Sequence, residues 1–163
     1  MPSATAAVAD QRHQPPSKQA QLQTLMEQRI LLLDGAYGTA FQGYQLEEEA
    51  YRGERFAAHD LPLKGNHDIL CLTCPEIVEE VHRNYLEAGS DIICTNTFNA
   101  TSVAQADFGT EGICFEINEA AARIARQVAD EYASDINPRF VAGSIGPTNR
   151  TASLSPDVNQ PGY

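Results

Sequence analysis

Nothing in this sequence is suited to crossing a bilayer, gripping a phosphate backbone or carrying a disulfide framework. No apolar run approaches the roughly 20 residues that a membrane-spanning helix needs. Basic residues are scarce: 11 Lys and Arg stand against 22 Asp and Glu, a net charge of -11. With no basic stripe to neutralise phosphates, nucleic acid and anionic membrane surfaces are excluded as partners, and the acidity reads as solubility. Residues 1–23 are rich in Ala, Gln, Ser and Pro and have no apolar core, so they make no secretory signal. Asp10 beside Arg12 and Lys18 also spoils an organelle-targeting helix. Cysteine is limited to Cys71, Cys74, Cys94 and Cys114, all within or beside apolar segments, which fits a reduced, cytoplasmic chain.

What is present is the grammar of an α/β protein. The chain of 163 residues is long enough for one domain with a real core. Residues 1–28 read as a disordered leader ending in a short lead-in helix over 22–28. The aliphatic run 29–33 has the pattern of a strand buried on both faces. A long polar excursion follows from Gln42 to Asn66. Thr73-Cys-Pro75-Glu76 then opens a helix whose inner face is Ile77, Val78, Val81, Tyr85 and Ala88, with Gly89 closing it. A second strand covers Ser90–Cys94, a short helical stretch Ser102–Asp107, and a long helix 111–133 with Ile113, Ile117, Ala121, Ile124 and Val128 inward. Phe140–Ile145 makes the third strand. The order is β-α-β-α-β, with right-handed crossovers between parallel neighbours. Three strands cannot close a barrel of about 250 residues, so the chain reads either as a small open α/β domain or as the first three units of a larger barrel, and the polar loop at its end favours the second.

Each of these strands empties into a polar tract, and active sites of parallel α/β proteins lie at the carboxyl ends of strands. The first tract is Asp34-Gly35-Ala-Tyr-Gly38-Thr39, which lacks the third glycine of a dinucleotide fingerprint and has no obvious helix after it. Asp34 can hold a substrate ammonium or bond its own backbone as a turn residue. The glycines let a ligand approach the main chain. The second tract is Thr95-Asn96-Thr97, and the third is Thr148-Asn149-Arg150-Thr151. None carries a nucleophile with a base, so hydrolysis is not the expected chemistry; the set suits gripping an amino acid. Cys71-Leu-Thr-Cys74 has the spacing of a zinc half-site, with His67 and His82 nearby, but no second pair completes it. A redox role would require a thiol acidified at a helix N-terminus; a buried apolar cysteine is the simpler reading.

Taken together, Leu32-Leu-Asp34-Gly-Ala-Tyr-Gly-Thr39, Asp91-Ile-Ile-Cys-Thr-Asn-Thr-Phe-Asn99 and Gly146-Pro-Thr-Asn-Arg-Thr-Ala-Ser-Leu-Ser-Pro-Asp-Val158 resemble the N-terminal homocysteine-binding module of cobalamin-dependent methionine synthases. The first motif alone also fits betaine–homocysteine methyltransferases. The resemblance implies a parallel (β/α)8 barrel of the TIM type, of which residues 29–163 are the N-terminal part. It implies a homocysteine S-methyltransferase in which zinc turns the homocysteine sulfur into a thiolate that attacks a methyl donor, forming methionine. The methyl group would come from methylcobalamin, recharged by methyltetrahydrofolate on cobalamin- and folate-binding modules elsewhere. Asp34 and Gly35, with Thr95, Asn96 and Thr97, would bind homocysteine. The family's zinc cysteines fall on later strands, past Tyr163, so Cys71 and Cys74 are not those ligands, and no residue of this chain is assigned a catalytic or metal-binding role. Cys94 stands where the family commonly has Glu. On its own the chain is expected to be inactive. The alternative is a non-catalytic half-barrel remnant that pairs with another chain to cover its edge.

Overall fold

The structure, a computed structural model, describes residues 16–148. The expected leader, up to residue 15, and the third tract from Asn149 onward lie outside the described residues. Residues 1–30 and 31–163 form two units. In the first, α1 (Lys18–Gln28) starts where Ser17 Oγ accepts the amide of Ala20, and it buries none of its residues. No helix among the described residues is long and apolar enough to cross a membrane.

The second unit is built on two parallel strands, β1 (Ile92–Cys94) and β2 (Phe140–Ala142), in register Ile92 with Phe140 and Cys94 with Ala142. The expected first strand contributes a single parallel bridge, Leu33 with Ile92. Two aspartates account for that shortfall. At one end Asp91 Oδ2 accepts the Leu32 amide at 2.9 Å, and at the other Asp34 Oδ2 accepts the Cys94 amide at 2.6 Å. Each carboxylate takes an N–H that another rung of backbone pairing would have used. The third strand likewise ends at Ala142, three residues short of Ile145, as the chain turns to bond Thr95 and Thr97.

Two helices cover this sheet. In α5 (Pro75–Glu87), Cys74 is the N-cap without a side-chain bond and proline takes the first turn. The helix ends at Gly89, φ +106°, where the Gly89 amide reaches Leu86 O and the Ser90 amide reaches Tyr85 O. Only a residue free of Cβ strain adopts that closing geometry readily. The buried stripe is Val78, Val81, His82 and Leu86, so His82 and Leu86 replace the expected Ala88, which is exposed. The short helix α6 (Ser102–Gln105) follows β1. In α7 (Cys114–Glu131), Ile117, Ala121, Ile124 and Val128 are buried as expected, Ala120, Ala125 and Ala129 flank them, and Ile113 lies half-buried just before the helix. Those alanines let the helix approach both strands closely. Ile117, Val78, Ile93 and Val128 are fully buried, each worth about 1.5–3 kcal/mol of burial.

Between sheet and α5 the chain makes α2 (Tyr37–Gly43), an unexpected helix whose glycines hid it and whose Phe41 anchors it in the core. The excursion then carries α3 (Glu48–Arg52) and is held by a side-chain clamp, and α4 (Leu70–Thr73) follows it. Arg52 donates to Glu48 and to the carbonyls of Phe56, His59 and Leu61, while Glu48 accepts the amides of Leu63 and Lys64. Arg52→Ala is expected to cost about 2 kcal/mol by releasing these carbonyls. It should also speed amide exchange across 53–64 before the rest of the chain; uniform exchange would show that the clamp is not what orders this segment.

Candidate functional site

The strand ends open on a pocket of about 410 Å³ lined by Asp34–Gly38, His67, Asp68, Cys94–Asn96, Phe98, Asn99 and Ser144. Of the residues expected to bind a substrate, Asp34, Gly35, Thr95 and Asn96 meet there, while Thr97 is not part of the lining. Gly35 and Gly38 have no positive φ, and a Cβ on Gly38 would meet nothing within 4 Å. Their contribution is a low wall. Gly146 is different: its amide bonds Phe98 O at 2.9 Å, and a Cβ there would lie 2.5 Å from that oxygen. The segment after β2 is thereby fixed against the pocket's Phe98.

Asp34 does not behave as a turn residue that bonds its own backbone. Its Oδ2 accepts the Cys94 amide and the Tyr37 hydroxyl, whereas Oδ1 has no partner among the described residues. Tyr37 Oη also lies 2.8 Å from His82 Nδ1 and 3.1 Å from Cys94 O. Burial first, then Asp34, raises the Tyr37 pKa, so the phenol keeps its proton. Burial pushes His82 down to about 4, outweighing the opposite pull of Asp34, and the ring is neutral.

The threonine hydroxyls are engaged with one another. The Ser144 amide donates to Thr95 Oγ1 at 3.0 Å, and Thr97 Oγ1 donates its proton to Ser144 O at 2.8 Å. Thr95 Oγ1 therefore donates across the 2.6 Å gap to Thr97 Oγ1, closing a ring. That ring ties the end of β1 to the segment after β2. Asn96 Nδ2 is held by His67 O at 2.8 Å and faces Cys71 Sγ at 3.5 Å, leaving Oδ1 without a partner among the described residues.

Sequence reasoning passed over Asp68. It is 2% exposed, in the 3-10 turn His67–Ile69, and Oδ1 accepts the Asn99 amide at 2.9 Å. Burial raises its pKa to about 6 despite that bond. The available signal was an acid set directly before the apolar run Ile69–Leu72. A pocket with two carboxylates, Asp34 and Asp68, suits a ligand with a positive end.

Burial raises the pKa of each of the four cysteines. Cys71 is buried, its thiol pushed up to about 12 by burial, and Cys74 Sγ lies against Ala50 O with its pKa also raised by burial. A reactive thiol needs the opposite shift. Cys94 is pushed up to about 12 by burial and then by Asp34. Among the described residues no three His, Cys, Asp or Glu side chains come together to hold a metal, so zinc does not fit them.

A family model for homocysteine S-methyltransferase matches residues 31–162. The metallated form of the homocysteine methyltransferase MmuM from Escherichia coli superposes with TM-score 0.59 at 24% identity, over 77% of this chain and 41% of that one. Its oxidised form gives TM-score 0.60 at 25% identity, over 77% and 40%. The chain thus spans about two fifths of the length of these solved structures. With most of its length matched, the chain belongs to the homocysteine S-methyltransferase family.

Proposed function

We propose that residues 29–163 are the N-terminal part of a (β/α)8 barrel in a methyltransferase of the cobalamin-dependent methionine synthase type, and that the pocket holds homocysteine by its amino group. The carrying observation is Asp34: Oδ2 is fixed by two donors while Oδ1 is left for a ligand in the pocket. An ammonium set against that oxygen makes a charge-assisted bond, and Asn96 Oδ1 offers a second acceptor. Zinc, which makes the homocysteine sulfur a thiolate at neutral pH when bound, is assigned to ligands past Tyr163, and methylcobalamin to other modules.

Isothermal titration of the full chain with L-homocysteine tests the reading. Asp34→Ala is expected to weaken binding tenfold to a hundredfold, as for loss of a hydrogen bond between charged groups. 4-Sulfanylbutanoate, which lacks the amino group, should bind wild type and variant equally. Equal homocysteine affinity for wild type and Asp34→Ala, or no binding by wild type, would sink it. The second reading, a non-catalytic chain that pairs its edge with another, draws on Leu32 and Leu33, 54% and 58% exposed. No homocysteine binding, together with a dimer in sedimentation, would favour it.

A further inference from the structure

We infer that Tyr37 and His82 act as positioning residues, a relay from the core to the pocket wall that orients Asp34 for the ammonium of the bound amino acid; this rests on the homocysteine reading above. The directions of the hydrogen bonds follow from the proton inventory. A tyrosine hydroxyl has one proton and two lone pairs. Asp34 Oδ2 is the charged acceptor within reach, so the Tyr37 proton goes there rather than to Cys94 O, 3.1 Å away. His82 Nδ1, 2.8 Å from Tyr37 Oη, must then be a donor. A neutral imidazole has one N–H, so His82 is the Nδ1–H tautomer and Nε2 is bare. Nε2 is indeed buried without a partner among the described residues. A histidine placed only to satisfy itself would spend both nitrogens; this one leaves a nitrogen unpaired and directs its proton at Tyr37.

The geometry is spread over distant parts of the chain. Asp34 precedes α2 and Tyr37 opens it, while His82 comes from the buried stripe of α5. The Tyr37 and His82 rings meet edge to face with centroids 5.4 Å apart. Movement of α5 against α2 therefore reaches the Asp34 carboxylate through one phenol.

Nitrogen-15 NMR on the full chain reads the tautomer directly: Nδ1 protonated and Nε2 bare is expected at neutral pH, and an Nε2–H tautomer would overturn the relay. Titration then separates positioning from general damage. Tyr37→Phe is expected to weaken L-homocysteine about tenfold and to leave 4-sulfanylbutanoate unchanged, collapsing the discrimination between them. His82→Leu should do the same more weakly, and His82→Asn, which keeps an N–H near the Nδ1 position, should restore part of it. Equal losses for both ligands would make the residues merely structural. Should Asp34→Ala matter and Tyr37→Phe not, the relay fails while the homocysteine reading stands. Should Asp34→Ala be silent, the homocysteine reading fails whatever the tautomer.

Discussion

Asp91→Ala is expected to lower the stability of the chain by about 3–5 kcal/mol, the cost of stripping one partner from a buried ion pair. Asp91 and Arg139 are 4% and 11% exposed in their side chains, and Arg139 Nη1 reaches Asp91 Oδ1 at 3.2 Å. Arg139 Nε is buried with no partner among the described residues, so its charge has little alternative compensation. The other carboxylate oxygen caps the Leu32 amide. One side chain thus ties together the amino-terminal ends of all three sheet segments, at Leu32, Asp91 and Arg139. A domain this size has a total stability of about 5–15 kcal/mol, so the variant should sit near its folding threshold. Urea unfolding of wild type, Asp91→Ala and Asp91→Asn measures it. Asn keeps an acceptor for one neighbour and should lose less. A change under about 1 kcal/mol for Ala would show that the sheet does not depend on this corner.

The helices α5 and α7 were legible because an apolar stripe at helical spacing has one physical use, burial against a sheet. Proline at the start and glycine at the end fixed the bounds of α5. Residues 29–33 read as a strand because they are aliphatic, yet pairing there is limited by Asp34 and Asp91, whose carboxylates take the N–H groups of Cys94 and Leu32. Hydrophobic pattern carries no information about such long-range substitutions. Within the pocket, Asp34, Thr95 and Asn96 were legible from their place at strand ends. Tyr37 and Asp68 were not singled out. His82 did leave a trace, lying four residues from both Val78 and Leu86 on the buried stripe. What it bonds to depends on α2, a helix whose two glycines concealed it.

Asp68→Asn is expected to stabilise the chain by about 3 kcal/mol above pH 7 and to change nothing below pH 4. The sign follows from proton counting. The folded chain holds the Asp68 proton up to about pH 6, whereas the unfolded chain releases it near 3.8. Between those values the folded state binds more protons, so this residue makes stability fall as pH rises. A displacement of that size, at about 1.4 kcal/mol for each tenfold change in proton affinity, gives the 3 kcal/mol. His82 works in the other direction. Its pKa falls from 6.5 to about 4 on folding, so the unfolded state binds more protons in that window and stability rises with pH. In the wild type the two slopes largely cancel between pH 4 and 6. Asn keeps an oxygen for the Asn99 amide but cannot ionise, so the variant should expose the rising slope of His82, to which His67, its pKa also lowered by burial, adds. Urea midpoints of both proteins from pH 4 to 8 would test this, and parallel curves would refute it. A carboxyl that weakens its own fold at neutral pH, in the wall of a pocket that already holds Asp34, is placed where a cationic group can recover that energy on binding. The stability gained by Asp68→Asn should therefore be accompanied by weaker affinity for the ammonium-bearing ligand, the exchange of stability for function expected of a site residue.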